Sequence, residues 1–209
     1  MTTLLCFGDS ITYGALDSEG GWVARLRKSV YEKHLSDTDY YCLVYNLAID
    51  GDDSKGLLER MESEIKARSE EKPLIAIISI GMNDSLYNKK GKKNKTDLEN
   101  FKNNLEVLTL IAKRHSERII FVGLNPADER VDPISWLKDC CYMNEYIEKY
   151  NDAIEEFCKE EGLGFVSIFN EWLKEDYSSL LEDGVHPNSE GHKRIFEAVR
   201  DVLKGRNLI

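Results

Sequence analysis

Three residues near opposite ends of the chain have the types and spacing of a nucleophile, a base and an acid that orients the base. Ser10 follows the apolar run 4–7 after a short Gly-Asp step, so its hydroxyl lies where a strand would end. Asp183 precedes His186 by three residues, so the two side chains can face each other within one turn. A serine hydroxyl is a weak nucleophile and needs an adjacent base that a third group orients. These residues therefore predict nucleophilic catalysis.

Composition and charge argue against several other classes of protein. The chain has 209 residues, 42% of them hydrophobic, which suits a single domain over residues 1–209. Its 28 basic and 38 acidic residues give a net charge of −10, which disfavours nucleic acid as a partner. No apolar run reaches the roughly 18 residues that a transmembrane helix needs, so we expect no stable membrane association. The oligomeric state stays open.

The N-terminus and the five cysteines predict a cytoplasmic protein. The N-terminus enters the first apolar run with no basic region and no cleavage site, which argues against a secretory signal. An odd number of cysteines, with Cys6 and Cys158 in apolar patterns, favours buried thiols over a disulfide framework. Cys140 and Cys141 are adjacent and cannot form a zinc site of the spaced kind. We therefore expect no metal and no other cofactor.

The chain alternates short apolar runs with amphipathic stretches. Continuous apolar runs predict strands that are buried on both faces, over residues 4–7, 43–47, 74–80, 119–122 and 164–168. Helical periodicity of the apolar residues predicts helices in the stretches 57–65, 98–112, 143–157 and 195–203. Strand followed by helix, repeated about five times, predicts an open α/β sandwich of three layers.

Four loops that follow predicted strands carry polar and glycine residues. They span residues 8–10, 46–51, 81–84 and 183–186. In an open parallel sheet, ligands bind outside the carboxyl ends of the strands. The four loops therefore converge on one edge of the sheet and predict a single site there.

Four sequence blocks resemble, in the same order, those of the SGNH (GDSL) hydrolase family of esterases and lipases. The blocks are Gly8-Asp9-Ser10, Gly51, Gly81-Met82-Asn83-Asp84 and Asp183-Gly184-Val185-His186-Pro187. Together they span nearly the whole chain, which makes the resemblance specific. The resemblance implies a flavodoxin-like three-layer α/β/α sandwich with a five-stranded parallel sheet, and a hydrolase that acts on carboxylic esters.

The resemblance also implies a role for each site residue. Ser10 would be the nucleophile, His186 the base and Asp183 the group that orients the base. The backbone amides of Ser10 and Gly51, with the side-chain amide of Asn83, would form the oxyanion hole. One such donor is worth about 2.7–4 kcal/mol in a comparable enzyme. Glycine at position 51 leaves its amide unshielded and tolerates unusual backbone angles.

The second block departs from the family pattern. Asp50 precedes Gly51, and Asp52 and Asp53 follow, where small residues are more usual. This acidic cluster would repel a long-chain carboxylate product. The lysine-rich segment 89–95 is interpreted as a solvated surface loop, or alternatively as a lid edge that favours an anionic substrate and offsets the acids at the rim.

Candidate substrate contacts come from the loops that follow the first, third and fourth strands. The candidate substrate-binding residues are Asp9, Met82 and Asn125. Further candidate wall residues are scattered, namely Leu86, Tyr87, Leu124, Ile134 and Trp136. Few long apolar runs surround the four blocks, which predicts a shallow, partly polar cleft for acyl groups of roughly two to four carbons.

Several of these residues also have a purely structural interpretation. Ser10 could cap the helix that follows it, and Asp9 could form hydrogen bonds behind the site. Asn83 and Asp84 could be turn residues. His192, on the first turn of the last predicted helix, could have a structural role.

The expected function is hydrolysis of small-molecule esters through an acyl-enzyme. Thioesters and acetylated sugars are alternative substrates of the same site. An alternative from another class is a flavodoxin-like module that binds phosphorylated or nucleotide ligands. Such a module would want a glycine-rich phosphate loop after the first strand, where Asp9 places an acid instead.

Overall fold

Strands and helices alternate along the chain. A computed structural model describes residues 2–68, 74–116, 118–131, 137 and 139–209. Within these ranges the strands are β1 Thr2–Gly8, β2 Cys42–Asn46, β3 Leu74–Ser79, β4 Tyr87–Asn88, β5 Lys93–Asn94, β6 Arg118–Val122, β7 Cys140–Cys141 and β8 Gly164–Val166. The helices are α1 Ser10–Tyr13, α2 Gly21–Ser36, α3 Ser54–Lys66, α4 Leu98–Lys113, α5 Asn144–Glu161, α6 Phe169–Trp172 and α7 Ser189–Gly205, and a 3₁₀ turn covers Tyr177–Leu180.

Five strands form a parallel sheet in the order β2-β1-β3-β6-β8. Leu4 of β1 lies opposite Val44 of β2 and Ile75 of β3. This strand order is the flavodoxin-like one, and it confirms the predicted fold class. All five predicted strands are present, and their ends differ from the prediction by no more than two residues.

The centre of the sheet is buried on both faces. All six residues of β3 are buried, as are the last six residues of β1. On the faces of the sheet, α2 packs against α7, and α4 packs against both α3 and α5. Helices on both faces explain why the central strands are continuously apolar rather than alternating.

The four predicted helices are present as α3, α4, α5 and α7, whereas α2 was not predicted from the sequence. The buried apolar residues of α2 form a narrow stripe of Trp22, Val23, Leu26 and Val30. Tyr31 and Leu35 lie outside this stripe and are 45% and 83% exposed. These exposed apolar residues obscure the helical periodicity of the buried ones, so the sequence pattern does not predict α2.

A second, antiparallel sheet has the order β5-β4-β7. In it, Tyr87 pairs with both Asn94 and Cys141. The lysine-rich segment 89–95 is mostly exposed, as predicted for a solvated surface loop, and it also contains the short strand β5, which forms a hairpin with β4. This small sheet holds the segment around residue 141 beside the segment that follows β3, next to the predicted site.

Candidate active site

The side chains of Ser10, His186 and Asp183 form one line of hydrogen bonds. Nε2 of His186 lies 2.9 Å from Oγ of Ser10. Nδ1 of the same ring lies 2.8 Å from Oδ2 of Asp183. The ring therefore bridges a hydroxyl and a carboxylate, which is the arrangement that activates a serine.

A tight junction between β1 and α1 presents Ser10. Gly8 has no room for a side chain, because a Cβ there would lie 2.3 Å from Oγ1 of Thr12 and 2.6 Å from a carbonyl oxygen of β3. Asp9 caps α1, since its Oδ1 accepts a hydrogen bond from the amide of Ile11 at 3.0 Å. The cap is thus Asp9 and not Ser10, whose hydroxyl contacts the imidazole.

Asp183 and His186 are held by a compact turn. Oδ1 of Asp183 accepts hydrogen bonds from the amides of Val185 at 3.0 Å and His186 at 2.8 Å, while Oδ2 contacts the imidazole. Asn125, in the loop after β6, is buried and donates through Nδ2 to the carbonyl of Val185 at 3.0 Å. Asn125 therefore supports the turn from behind. It is not among the described residues that line the cleft, and its contact with substrate stays a prediction.

Charges in the site favour a protonated imidazole beside an ionised carboxylate. Burial alone would raise the pKa of Asp183, but hydrogen bonds from His186 and from the amide of Val185 outweigh it and lower that pKa to about 2. Burial alone would lower the pKa of His186, but the hydrogen bond and negative charge of Asp183 outweigh it and raise that pKa. Asp183 therefore stabilises the imidazolium form of His186.

The three residues predicted for an oxyanion hole, Ser10, Gly51 and Asn83, line the same cleft. Gly51 has a φ of 73°, in the left-handed region that glycine adopts readily. Nδ2 of Asn83 donates to the carbonyl of Asp52 at 2.9 Å, and its Oδ1 accepts from the hydroxyl of Tyr142 at 3.0 Å. The side-chain amide of Asn83 is therefore held at both ends.

A buried network joins the loop of Asn83 to the start of α3. The carboxylate of Asp84 accepts hydrogen bonds from the amide of Ser54 at 2.9 Å and from its hydroxyl at 2.5 Å. Nδ2 of Asn104 donates to the same hydroxyl at 2.8 Å. These contacts fix the loop after β3 against the loop that carries Gly51, and they support the structural interpretation of Asp84.

The family model of the GDSL-like Lipase/Acylhydrolase family matches residues 6–194 of this chain. The match includes both Ser10 and His186. The chain belongs to this family. It is a carboxylic ester hydrolase, as its sequence blocks predicted.

Relatives of this GDSL hydrolase align along nearly their whole length. Esterase TesA of Pseudomonas aeruginosa is 28% identical over 203 residues, which cover 97% of this chain and 88% of TesA. The isoamyl acetate-hydrolyzing esterase 1 homolog of Homo sapiens is 26% identical over 217 residues, which cover 96% of this chain and 81% of that protein. The structure of a variant of Axe2, an acetyl xylan esterase from Geobacillus stearothermophilus, matches with a TM-score of 0.71 at 25% identity over 96% of this chain and 94% of Axe2.

The cleft of this GDSL hydrolase opens around Ser10 with a volume of about 640 Å³. Its described lining residues are Ser10, Tyr13, Ala15, Leu16, Asp50, Gly51, Asn83, Tyr142, Asp183 and His186. Tyr13, the last residue of α1, and Leu16, which lies between α1 and α2, are 60% and 57% exposed and form an apolar outer lip. The sequence does not predict this lip, because Tyr13 ends a helix of only four residues and Leu16 lies in the irregular segment after it. No periodic pattern marks the side chains that face a ligand there.

Most of the wall residues predicted from the sequence lie elsewhere. The predicted contacts that are absent from the described lining are Asp9, Met82, Leu86, Tyr87, Leu124 and Asn125. Met82 is only 2% exposed and belongs to the core, and Tyr87 stacks on Tyr146 with ring centroids 4.9 Å apart. These side chains bury apolar surface instead of facing the cleft. Ile134 and Trp136 lie outside the described residues.

Two of the three acids next to Gly51, namely Asp52 and Asp53, are paired with cations. Arg60 lies 2.6 Å from Asp52, and Lys95 lies 2.8 Å from Asp53. Of the three acids, Asp50 lines the cleft. Asp50 is therefore the one acid of the three that can repel a carboxylate product at the cleft wall. Lys95, in the lysine-rich segment 89–95, pairs with Asp53 and so offsets negative charge at the rim, as expected.

Two further titratable groups are buried near the site. Burial raises the pKa of Asp9 to about 7, although the amide of Ile11 and the charge of His186 oppose this rise. His192 is fully buried on the first turn of α7, and burial lowers its pKa to about 4. A neutral buried ring suits the structural interpretation of His192.

The described part of the chain holds no group of three His, Cys, Asp or Glu side chains arranged to bind a metal ion. All five cysteines are thiols, and Cys6, Cys42 and Cys158 are buried. No helix in the described ranges has the length and apolar content needed to cross a bilayer.

Proposed function

We propose that this GDSL hydrolase cleaves carboxylic esters through an acyl-enzyme formed on Ser10. The observation that carries the proposal is the unbroken line of hydrogen bonds from Ser10 through His186 to Asp183, opening into a cleft. A serine reacts only when such a base removes its proton. Membership of an esterase family supports ester cleavage as the reaction.

Acylation is the first half of the proposed reaction. Oγ of Ser10 attacks the ester carbonyl carbon while its proton moves to Nε2 of His186. Asp183, with its lowered pKa, stays ionised and stabilises the imidazolium. The tetrahedral intermediate then breaks its bond to the leaving oxygen, and His186 returns the proton to that oxygen. An acyl ester on Ser10 and a free alcohol result.

Deacylation repeats these steps with water. His186 takes a proton from a water molecule as the water oxygen attacks the acyl carbon. The bond to Oγ of Ser10 then breaks, and His186 gives the proton back to that oxygen. One water is consumed, and the carboxylic acid is released, so the balance requires no cofactor.

The oxyanion of each tetrahedral intermediate is assigned to the amides of Ser10 and Gly51 and to the side-chain amide of Asn83. Donors that are fixed before the reaction need no reorganisation as charge develops on the oxygen. The hydrogen bonds of Asn83 to Asp52 and Tyr142, and the open backbone at Gly51, support this assignment.

The rate of hydrolysis should rise with pH along a single limb as His186 loses its proton, because only the neutral ring accepts the Ser10 proton. Since Asp183 raises the pKa of His186, the limb of kcat/KM for an aryl acetate should be centred above the ordinary value of about 6.5. The charge of Asp50 also raises this pKa. Asp50→Asn should therefore move the limb to lower pH, measured in rate profiles from about pH 5 to 9.

The matched control for this pH prediction is Asp152→Asn on α5, which removes an acid outside the cleft. Its limb should coincide with that of the wild type. A limb that moves to higher pH in Asp50→Asn would contradict the proposed role of His186 as base.

Short acyl groups are the proposed substrates. The lip residues Tyr13 and Leu16 are largely exposed, which suits a shallow cleft. The charge of Asp50 on the wall disfavours a long-chain carboxylate. Two of the relatives carry acetate or acetyl in their names. These observations together favour acyl chains of roughly two to four carbons.

An aryl-ester series from acetate to palmitate tests the substrate and the reaction together. Catalytic efficiency should be highest at roughly two to four carbons, because Tyr13 and Leu16 in the described lining are themselves exposed and do not enclose a longer chain. A fluorophosphonate should modify Ser10 and abolish hydrolysis, whereas a ligand-binding module would neither react nor hydrolyse. Efficiency that peaks at long chains would overturn the short-acyl proposal and leave the reaction itself standing.

Acetylated sugars are the second candidate substrate class. The acetyl xylan esterase Axe2 is 25% identical to this chain, and the exposed ring of Tyr13 at the cleft lip offers a face for a sugar. Thioesters stay a further alternative for the same site. The cytoplasmic location and the single-domain organisation also stay predictions.

A further inference from the structure

Tyr142 lies between the small sheet and the catalytic cleft. It directly follows β7, its side chain is largely buried at 7% exposure, and it lines the cleft beside Asn83 and His186. The sequence blocks of the family do not include this position.

The fold ties Tyr142 to the loop of Asn83. Cys141, the residue before Tyr142, pairs with Tyr87 of β4. The strand β4 begins four residues after Asn83, so the antiparallel pairing holds the two segments side by side. The pairing of the two backbone segments therefore brings Tyr142 close enough to Asn83 for their side chains to form a hydrogen bond.

The hydrogen bonds define the direction in which the amide of Asn83 points. Its Nδ2 donates to the carbonyl of Asp52 at 2.9 Å and, over a longer distance of 3.4 Å, to Oδ2 of Asp9. Its Oδ1 is therefore the end that accepts from the hydroxyl of Tyr142 at 3.0 Å. Burial and the negative charges of Asp9 and Asp183 raise the pKa of Tyr142, so its hydroxyl stays protonated. A protonated hydroxyl next to an amide oxygen can donate only in this direction.

We propose that Tyr142 is a positioning residue for the oxyanion hole, which fixes the side-chain amide of Asn83 so that its nitrogen, and not its oxygen, is the end that donates hydrogen bonds. The proposal rests on the acyl-enzyme reaction proposed above. The hydroxyl acts in two ways. It resists rotation of the amide, and it draws electron density toward Oδ1, which makes the N–H groups of Asn83 stronger donors in a chain of hydrogen bonds.

The test is a double-mutant cycle of Tyr142→Phe and Asn83→Ala, measured on an aryl acetate and as the rate of phosphonylation of Ser10. Tyr142→Phe keeps the ring and should lower kcat about five- to tenfold with little change in KM, as the loss of one hydrogen bond implies. In the Asn83→Ala background the same change should cost nothing further, because its target is gone.

The matched control is Tyr177→Phe, which removes a hydroxyl that accepts from Asn144 outside the cleft at 3.3 Å. It should leave kcat and KM unchanged. Thermal melting of every variant separates a loss of folding from a loss of positioning. If Tyr142→Phe melts early, the phosphonylation rate of its folded fraction at lower temperature still reports the positioning effect.

Two outcomes would overturn the inference. One is an unchanged kcat in Tyr142→Phe, and the other is the same fold-loss in the wild-type and Asn83→Ala backgrounds, which would mean that Tyr142 acts without Asn83. If the proposed acyl-enzyme reaction itself were wrong, the Ser10→Ala variant would hydrolyse the ester as fast as the wild type. That result differs from both outcomes for Tyr142.

Discussion

Ser10→Ala and His186→Ala should each lower kcat/KM for an aryl acetate about 10⁴- to 10⁶-fold while the protein stays folded. The hydroxyl of Ser10 and the imidazole lie 2.9 Å apart and act as one unit. Removing either group leaves the other without a partner in the reaction. The double variant should therefore be little worse than either single variant, measured by steady-state kinetics beside thermal melting.

Ser116→Ala and His115→Ala provide controls for this prediction. Both residues follow α4 and precede β6, so they lie at the opposite edge of the sheet from Ser10. Their variants should keep wild-type kcat/KM. Full activity in a folded Ser10→Ala variant would contradict the assignment of the nucleophile, and multiplicative losses in the double variant would contradict the shared mechanism.

Asn83→Ala should lower kcat about 10²- to 10³-fold with little change in KM, the cost of about 2.7–4 kcal/mol seen when one oxyanion donor is removed. The effect falls on kcat because the amide meets full negative charge only in the transition state. Asn83→Asp should be at least as damaging, since a carboxylate in place of the amide repels the oxyanion. Both variants are measured with the short aryl esters.

Asn100→Ala on the first turn of α4 is the control for Asn83. Its amide bonds Asp97 and takes no part in the cleft, so kcat should be unchanged. A loss in Asn83→Ala that appears wholly in KM would show that the amide binds the ground state and is not an oxyanion donor.

The sequence by itself determined the five main strands, four of the helices and the three residues Ser10, His186 and Asp183 that form one line of hydrogen bonds. The strands β1 and β3 are continuously apolar because both of their faces are covered, so they were visible as runs. Parallel strands end at one edge of a sheet, so Ser10 and Asn83 could be placed together without coordinates. The spacing of three between Asp183 and His186 is short enough that local geometry alone brings them into contact.

Tertiary structure alone decided the walls of the cleft. Tyr142 contacts Asn83 across 59 positions of sequence, through strands of two residues that are too short to show a period. Tyr13 ends the four-residue helix α1 and Leu16 lies in the irregular segment after it, so no pattern distinguishes them from solvated residues. Conversely, Met82 lies within the third family block and is expected in the cleft, yet it packs in the core.

Tertiary structure also decided the charge of the site. Asp52 and Asp53 looked like free acids in the sequence, but Arg60 and Lys95 pair with them from elements that fold against their loop. Burial raises the pKa of Asp9 to about 7, an effect that depends on the atoms packed around the carboxyl group. Ion pairing and desolvation depend on distances in space, and the order of residues along a chain does not specify those distances.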